Sequence, residues 1–397
     1  MATITLTRFT HHDTLKRIGD SFVVELLSPY AAFFAGRGLA LPAAGNGGTL
    51  DYEALAAVLM TPATDMPKPL AEALYHIHDM STPEGMDKLQ EAAERRGVDL
   101  GLNGDAHPAG VAVRMWVRNS RLFEEVHAEY HLARPKSFLT FLSERRPVPE
   151  FVVPTTETRA AMEARMDGWF DKKRRGRGCR VLVYPREGEC WFMVRHGQPC
   201  RREGTHEQQG ESSSVFYRPQ QHDVLVYDIE RGEIRIHTGS KGERELYRKV
   251  FGAYVFGDEN FFPGDGKYRL TPLVRDVAAA LDCREFEGME WVRLREIEML
   301  RGQGLGAERE IRKGVDLCAS FEARGFRLTE EMNLQRAVFS VKFADSKTAR
   351  SVTIHPTNHA KYERDDDSAL LESWLLKRGF IIEEPDEDEA GEGVEES

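Results

Sequence analysis

The chain has 397 residues, 41% hydrophobic and 30% charged, enough for two or three domains with cores of their own, because a domain usually takes about 100 to 200 residues. No run of about 18 apolar residues occurs, and the N-terminus "MATITLTRFTHHDTLKR" lacks the charged-then-apolar order of a signal peptide, so neither membrane insertion nor secretion is expected and the cytoplasm is. Much of the net charge of −11 sits in the last stretch, "EEPDEDEAGEGVEES", which leaves the body near neutral and makes residues 383–397 an acidic tail too polar to fold.

Residues 1–146 read as a mostly helical domain. Apolar positions recur at three and four in "LDYEALAAVLM", "PLAEALYHIHDM" and "AGVAVRMWVRNSRLFEEVHAEYHLA". In "STPEGMDKLQEAAERRG", Ser81 or Thr82 is the cap, Pro83 lies in the first turn and Gly97 is the stop. "LPAAGNGGT" reads as a loop, not as a phosphate-binding loop, since it lacks the Gly-Lys-Ser/Thr ending. The prolines of "RRPVPEFVVPTTET" mark a linker over 147–156. A helix "TETRAAMEARMDGWFDKK" then opens a central domain over 157–268. Its segments "CRVLVYP", "CWFMVRHG", "SVFYRP", "DVLVYDIE" and "EIRIHTG" have a strand period and short turns, which predicts an antiparallel meander backed by the helix "KGERELYRKVFG". The third domain, 269–382, reads as helices "LVRDVAAAL", "VRLREIEML" and "REIRKGVDLCASFEARG", a strand pair "AVFSVKF" and "ARSVTIHP", and a closing helix "SALLESWLLKRG". The expected class is α+β: a helical N-terminal domain, a central antiparallel meander with packed helices, an α+β C-terminal domain and a disordered acidic tail.

The densest chemical signal is "DKKRRGRGCR". Lys172, Lys173, Arg174, Arg175, Arg177 and Arg180 crowd one segment, and Arg186, Arg195, Arg201 and Arg202 follow on the meander. Cations at this density repel one another unless water or a polyanion screens them, and phosphate backbones are the commonest such partner. Gly176 and Gly178 let the segment bend. Trp191, Phe192, Phe216 and Tyr217 are nearby candidates for stacking on unpaired bases. The acidic tail is either a solubility device or an electrostatic mask over this patch.

Four further constellations bear on chemistry. Arg195-His196-Gly197, closing an apolar strand, resembles the strand end of the histidine phosphatases; the resemblance covers a few residues and implies His196 as nucleophile, Arg195 as phosphate clamp, and a second histidine such as His222 or His237. Cys190, His196, Cys200 and His206 offer zinc-type ligands without a Cys-x-x-Cys knuckle. In "EEVHAEYH", Glu124, His127 and His131 share a helical face, where packing is the expected role and a metal the alternative. Asp223, Asp228 and Glu233 could belong to a metal-dependent nuclease, although Arg235 stands where a lysine is wanted. A winged-helix arrangement presenting Arg309, Arg312 and Lys313 is a lesser expectation. Five scattered cysteines, Cys179, Cys190, Cys200, Cys283 and Cys318, read as reduced thiols.

These residues lead to the expectation of a non-catalytic nucleic-acid-associated or assembly component, an accessory subunit of a bacterial DNA-processing or antiviral defence system. Its expected partners are DNA or RNA and other protein subunits, and no cofactor is expected. The alternatives are a phosphohydrolase or nuclease seated in the central domain, and a protein-interaction scaffold.

Overall fold

A computed structural model describes residues 9, 11–43, 49–60, 65–102, 106–206, 212–302, 306–364 and 367–382. The acidic tail lies outside the described residues. The chain forms two compact units, Met1–Arg134 and Pro135–Ser397.

The first unit is helical. Helices His12–Ile18, Asp20–Leu27, Ala31–Ala35, Tyr52–Met60, Lys68–Met80, Pro83–Arg96 and Pro108–Ala133 pack around Leu55, Leu70, Ile77, Met80, Leu89, Val111, Met115 and Phe123. Local chemistry sets the boundaries. The Thr82 hydroxyl accepts from the Gly85 amide at 3.0 Å to start Pro83–Arg96, and Gly97, at φ 64°, takes the left-handed turn that ends it. Pro108–Ala133 is interrupted at Asn119 (φ −156°, ψ 81°), whose side-chain oxygen accepts from the Leu122 amide at 3.0 Å and so caps the second half of the helix internally.

The second unit is built on one ten-stranded sheet. Its strands are β1 (Ser137–Leu142), β2 (Arg180–Pro185), β3 (Glu189–Gly197), β6 (Gln220–Asp228), β7 (Glu233–His237), β8 (Met289–Arg301), β9 (Glu308–Lys313), β10 (Leu334–Phe343), β11 (Arg350–His355) and β12 (His359–Lys361), in the spatial order β2-β3-β6-β7-β1-β12-β11-β10-β8-β9. β4 (Arg201–His206) and β5 (Ser212–Tyr217) form a separate two-stranded ribbon. All the pairings are antiparallel. The stretches 157–268 and 269–382, read above as two domains, thus share a sheet, joined by β1, which pairs Thr140 with Arg235 on one side and Phe138 with Ala360 on the other. β1 falls within the part of the chain that reads as helical.

Two apolar cores flank this sheet. Phe192, Val194, Leu225, Tyr227, Ile234 and Ile236 pack on the helices Thr156–Lys172 and Lys241–Val255 through Met166, Phe170, Tyr247 and Phe251. Leu294, Ile297, Phe339, Val341, Val352 and Ile354 pack with Trp374 and Leu375 of the helix Ser368–Lys377 and with Phe321 of the helix Leu317–Arg324.

Several expected elements need correction. "VRLREIEML" is strand β8, not a helix: its pairing with β10 slips one residue between Leu294 and Glu296, so a bulge at Arg295 turns the spacing of two into a spacing of three. Buried Leu294 and Ile297 then mimic a helical face. "REIRKGVDLCASFEARG" splits into β9 and the helix Leu317–Arg324, started by Asp316 and stopped by Gly325 at φ 62°. "LVRDVAAAL" is two helices, Thr271–Arg275 and Val277–Leu281, separated at Asp276, whose carboxylate caps the Ala279 amide at 3.0 Å.

Candidate functional site

The basic segment follows directly from the way its helix ends. Thr156–Lys172 stops with Arg174 at φ 60°, and Gly176 and Gly178, at φ 79° and 103°, carry the chain back toward β2. The Asp167 carboxylate receives the amides of Gly178 and Cys179 at about 3 Å, which pins the turn. A Cβ at Gly197 would lie 2.5 Å from the Arg175 carbonyl oxygen, so only glycine lets the loop close on the end of β3.

That loop divides the cations into two groups. Arg175 pairs with buried Glu243, Arg177 with Asp171 at 3.1 Å and Arg180 with Glu163 at 3.2 Å. Lys172, Lys173 and Arg174 are exposed, as are Arg195, Arg201 and Arg202 further on. Arg180 and Arg195 are cross-strand neighbours on one face of the sheet, with His222 next in line. Three of the nine cations of the expected basic track, Arg175, Arg177 and Arg180, are therefore held by the chain's own carboxylates.

The β4–β5 ribbon leaves the sheet at Gly197 and returns at Gln220, its base closed by the Gln198 amide on the Pro219 carbonyl at 2.7 Å. It is exposed along its length. Phe216 is 66% exposed and Val215 50%. Register places Arg202 opposite Phe216 and Arg201 opposite Tyr217. Since strand side chains alternate, one ribbon face carries Arg202, His206 and Phe216 with no carboxylate among the described residues, while the other carries Arg201, Val215 and Tyr217 with Glu203, which accepts from the Tyr217 hydroxyl at 2.6 Å. Trp191 and Phe192 do not join these aromatics; both are buried, Trp191 donating to Glu189 at 2.8 Å and Phe192 lying in the core.

His196 has a different setting from the one its sequence context suggests. It points into the protein, 3% exposed, stacked on Phe170 with centroids 4.2 Å apart. Its Nδ1 faces the Gly197 carbonyl oxygen at 3.0 Å and its Nε2 the Asp223 carboxylate at 3.0 Å, with Glu243 at 3.7 Å. Tyr247 donates to Asp223 at 2.6 Å, and the Thr238 hydroxyl lies 2.9 Å from both carboxylates. Burial alone would raise the Asp223 carboxyl, but hydrogen bonds from His196 and Tyr247 outweigh it and hold the group below its ordinary value. Every polar group in this cluster has a partner inside the protein. A nucleophile needs access to its substrate, and His196 has none, while Arg195 projects from the opposite face of β3.

The remaining sequence candidates do not converge either. Cys190 lies six residues from His196 along one strand, about 20 Å away. Cys200 is exposed on the way into the ribbon and His206 lies at the far end of β4, so the four do not form a metal site. Burial pushes the Cys190 thiol up to about 12, against its acting as a thiolate ligand. Of the nuclease set, Asp223 belongs to the His196 cluster, whereas Glu233 is buried against Lys267 at 2.7 Å. Arg309, Arg312 and Lys313 lie on strand β9, paired to Glu298, Glu310 and Glu296 at 3.1, 2.7 and 2.9 Å. No recognition helix presents them.

The first unit holds a second polar cluster. His127 and His131, one turn apart on Pro108–Ala133, meet Asp79 from Lys68–Met80. Asp79 Oδ2 lies 3.1 Å from His127 Nε2 and 2.7 Å from His131 Nε2, and the two nitrogens are 3.0 Å apart. Arg134 holds the other carboxylate oxygen at 3.2 Å. The His76 ring lies 4.5 Å from that of His127, with Tyr75 and Trp116 beside them. Burial lowers the pKa of His76, and burial likewise outweighs the pull of Asp79 on His127.

No protein-family model matches the chain, and no curated protein sequence is significantly similar to it.

The helical spacing of "EEVHAEYH" groups His127 and His131 with Glu124. The carboxylate that completes the set is Asp79, forty-eight residues earlier. One signal was present: "HIHD" puts His76 and Asp79 at i and i+3, on one face of their helix. The ribbon was half legible, since "SVFYRP" reads as a strand whereas "RREGTH" lacks the apolar alternation of one.

Proposed function

We propose that this chain is a non-catalytic nucleic-acid-associated component whose contact surface is the β4–β5 ribbon together with the exposed cations at its base. The observation that carries this reading is the ribbon face on which Arg202 stands opposite exposed Phe216 with no carboxylate among the described residues. A guanidinium beside an exposed ring offers a phosphate a charge and a base a stacking surface, and two-stranded ribbons are narrow enough to enter a groove. Lys172, Lys173, Arg174 and Arg195 extend the positive surface, whereas Arg175, Arg177 and Arg180 are assigned a structural part because acidic partners already hold them. The catalytic alternatives receive no support from the enclosed His196 or the separated Asp223 and Glu233.

The test is fluorescence anisotropy with labelled single- and double-stranded oligonucleotides over a salt series. Binding is expected to weaken steeply with salt, and R202A to flatten the log–log slope by about 0.7 to 0.9. F216A is expected to lose about 1–3 kcal/mol on single strands if that ring stacks on a base. Absence of binding at low salt, or unchanged affinity in R202E together with F216A, overturns the proposal.

A further inference from the structure

We propose that Asp79, His127 and His131 bind a single divalent first-row transition-metal ion. This inference is independent of the nucleic-acid reading. Three potential ligand atoms, Asp79 Oδ2, His127 Nε2 and His131 Nε2, form a nearly equilateral triangle with edges of 3.1, 2.7 and 3.0 Å. With bonds of about 2.1 Å, neighbouring ligands of an octahedral ion lie about 3.0 Å apart and those of a tetrahedral ion about 3.4 Å. The triangle matches one octahedral face. Two imidazoles and one carboxylate on such a face leave the other positions for water or a small ligand, and the His131 side chain, 21% exposed, marks the side on which solvent reaches the site.

Hydrogen bonding holds the three atoms together only when one imidazole Nε2 is protonated and the other offers its lone pair. A cation held by both lone pairs and the carboxylate oxygen takes the place of that single shared proton. The donor set also selects the class of ion, since calcium and magnesium take oxygen ligands, while imidazole with carboxylate suits zinc, iron and nickel. Outer contacts are in place. Arg134 engages Asp79 Oδ1, which turns Oδ2 toward the histidines, and the rings of Tyr75 and His76 pack against His127. The buried Nδ1 of His76 has no hydrogen-bond partner among the described residues. The His196 cluster of the second unit differs here: it is closed by Arg175, Tyr247, Thr238 and the Gly197 carbonyl, so it needs no ion.

The experiment uses the full chain stripped with a chelator and dialysed. Zinc is titrated by calorimetry, cobalt by its visible absorption, and thermal unfolding is followed with and without zinc. One ion per chain, a weak cobalt band of the six-coordinate kind and a raised unfolding midpoint are expected. H131A, at a partly exposed position, is expected to lower zinc affinity at least about tenfold with its circular dichroism unchanged, and D79N to do the same. Absence of saturable zinc uptake by the wild-type protein overturns the proposal without recourse to any variant. Uptake that survives in both H131A and D79N also overturns it, whichever other histidines then hold the ion.

Discussion

At the scale of single residues, the side of a strand that a side chain faces decides what it can do. Arg195 and His196 are neighbours in sequence, yet one is exposed and the other is enclosed between Phe170, Asp223 and Glu243. Glu243 is the hinge of that cluster, because it pairs with Arg175 and takes the Thr238 hydroxyl while buried to 2% exposure. Replacing it with alanine strands a guanidinium against the core. Glu243→Ala is expected to cost about 3–5 kcal/mol in urea unfolding, as for other buried pairs broken on one side; a loss under about 1 kcal/mol would mean that Arg175 finds water instead. Phe216→Ala makes the contrast, with an expected change within about 0.5 kcal/mol, since its ring is mostly exposed. In the first unit, Thr82→Ala removes a helix cap and is expected to cost about 1 kcal/mol, read from the thermal or denaturant midpoint.

At the scale of elements, the ribbon is an insertion between two strands that pair without it. β3 and β6 are registered from Glu189↔Asp228 to Gly197↔Gln220, so the sheet is complete at the point where the ribbon begins. Replacing residues 199–218 with a short turn is expected to leave the unfolding midpoint nearly unchanged and to abolish oligonucleotide binding. A collapse of the fold would show that the ribbon is part of the core; retained binding would move the interface elsewhere. The meander strands were legible because each has apolar residues on one or both faces, between turns rich in glycine and charge. β8 was not, because one bulge and a run of good helix formers made it look helical. β1 was missed for another reason. Pro135 marks a break before it, but six residues carry too little pattern of their own to be told from the end of a helix.

At the scale of the whole molecule, the two halves of the large sheet are also joined by charge. Glu372, from the helix Ser368–Lys377, meets Arg231 at 3.1 Å and Arg235 at 3.7 Å across the halves, and Arg364 at 3.0 Å within its own. Burial would raise the Glu372 carboxyl, and the charges of Arg364, Lys267 and Arg235 hold it well below its usual range instead; Glu233 is held down likewise by Lys267. A native pKa below the unfolded value of about 4.3 gives stability that is present above that pH and is lost as pH falls through the native value. Asp228 works in the opposite sense, raised by burial. Urea midpoints are therefore expected to begin falling below about pH 6.5, where His76 and His127, held below their ordinary value by burial, take up protons in the unfolded chain first, and to fall further below about pH 4, this second fall being less steep in Glu372→Gln, which is also less stable at pH 7. Long-range charge sets one more expectation. Deleting residues 383–397 removes much of the net negative charge and is expected to tighten oligonucleotide binding at moderate salt; unchanged or weaker binding would exclude the mask.

Sequence by itself determined what short-range periodicity and composition carry: the α+β class, the helical first unit, most of the meander and the concentration of cations after residue 171. No single helix among the described residues is long and apolar enough to cross a membrane, in line with the absence of such a run in the sequence. Only tertiary structure decided which of those cations are already paired, that the ribbon stands clear of the sheet, and that Asp79 meets His127 and His131. The physical reason is range: hydrophobic period is written within a few neighbouring residues, whereas ion pairs and ligand sets are made between elements that meet only after the chain has folded.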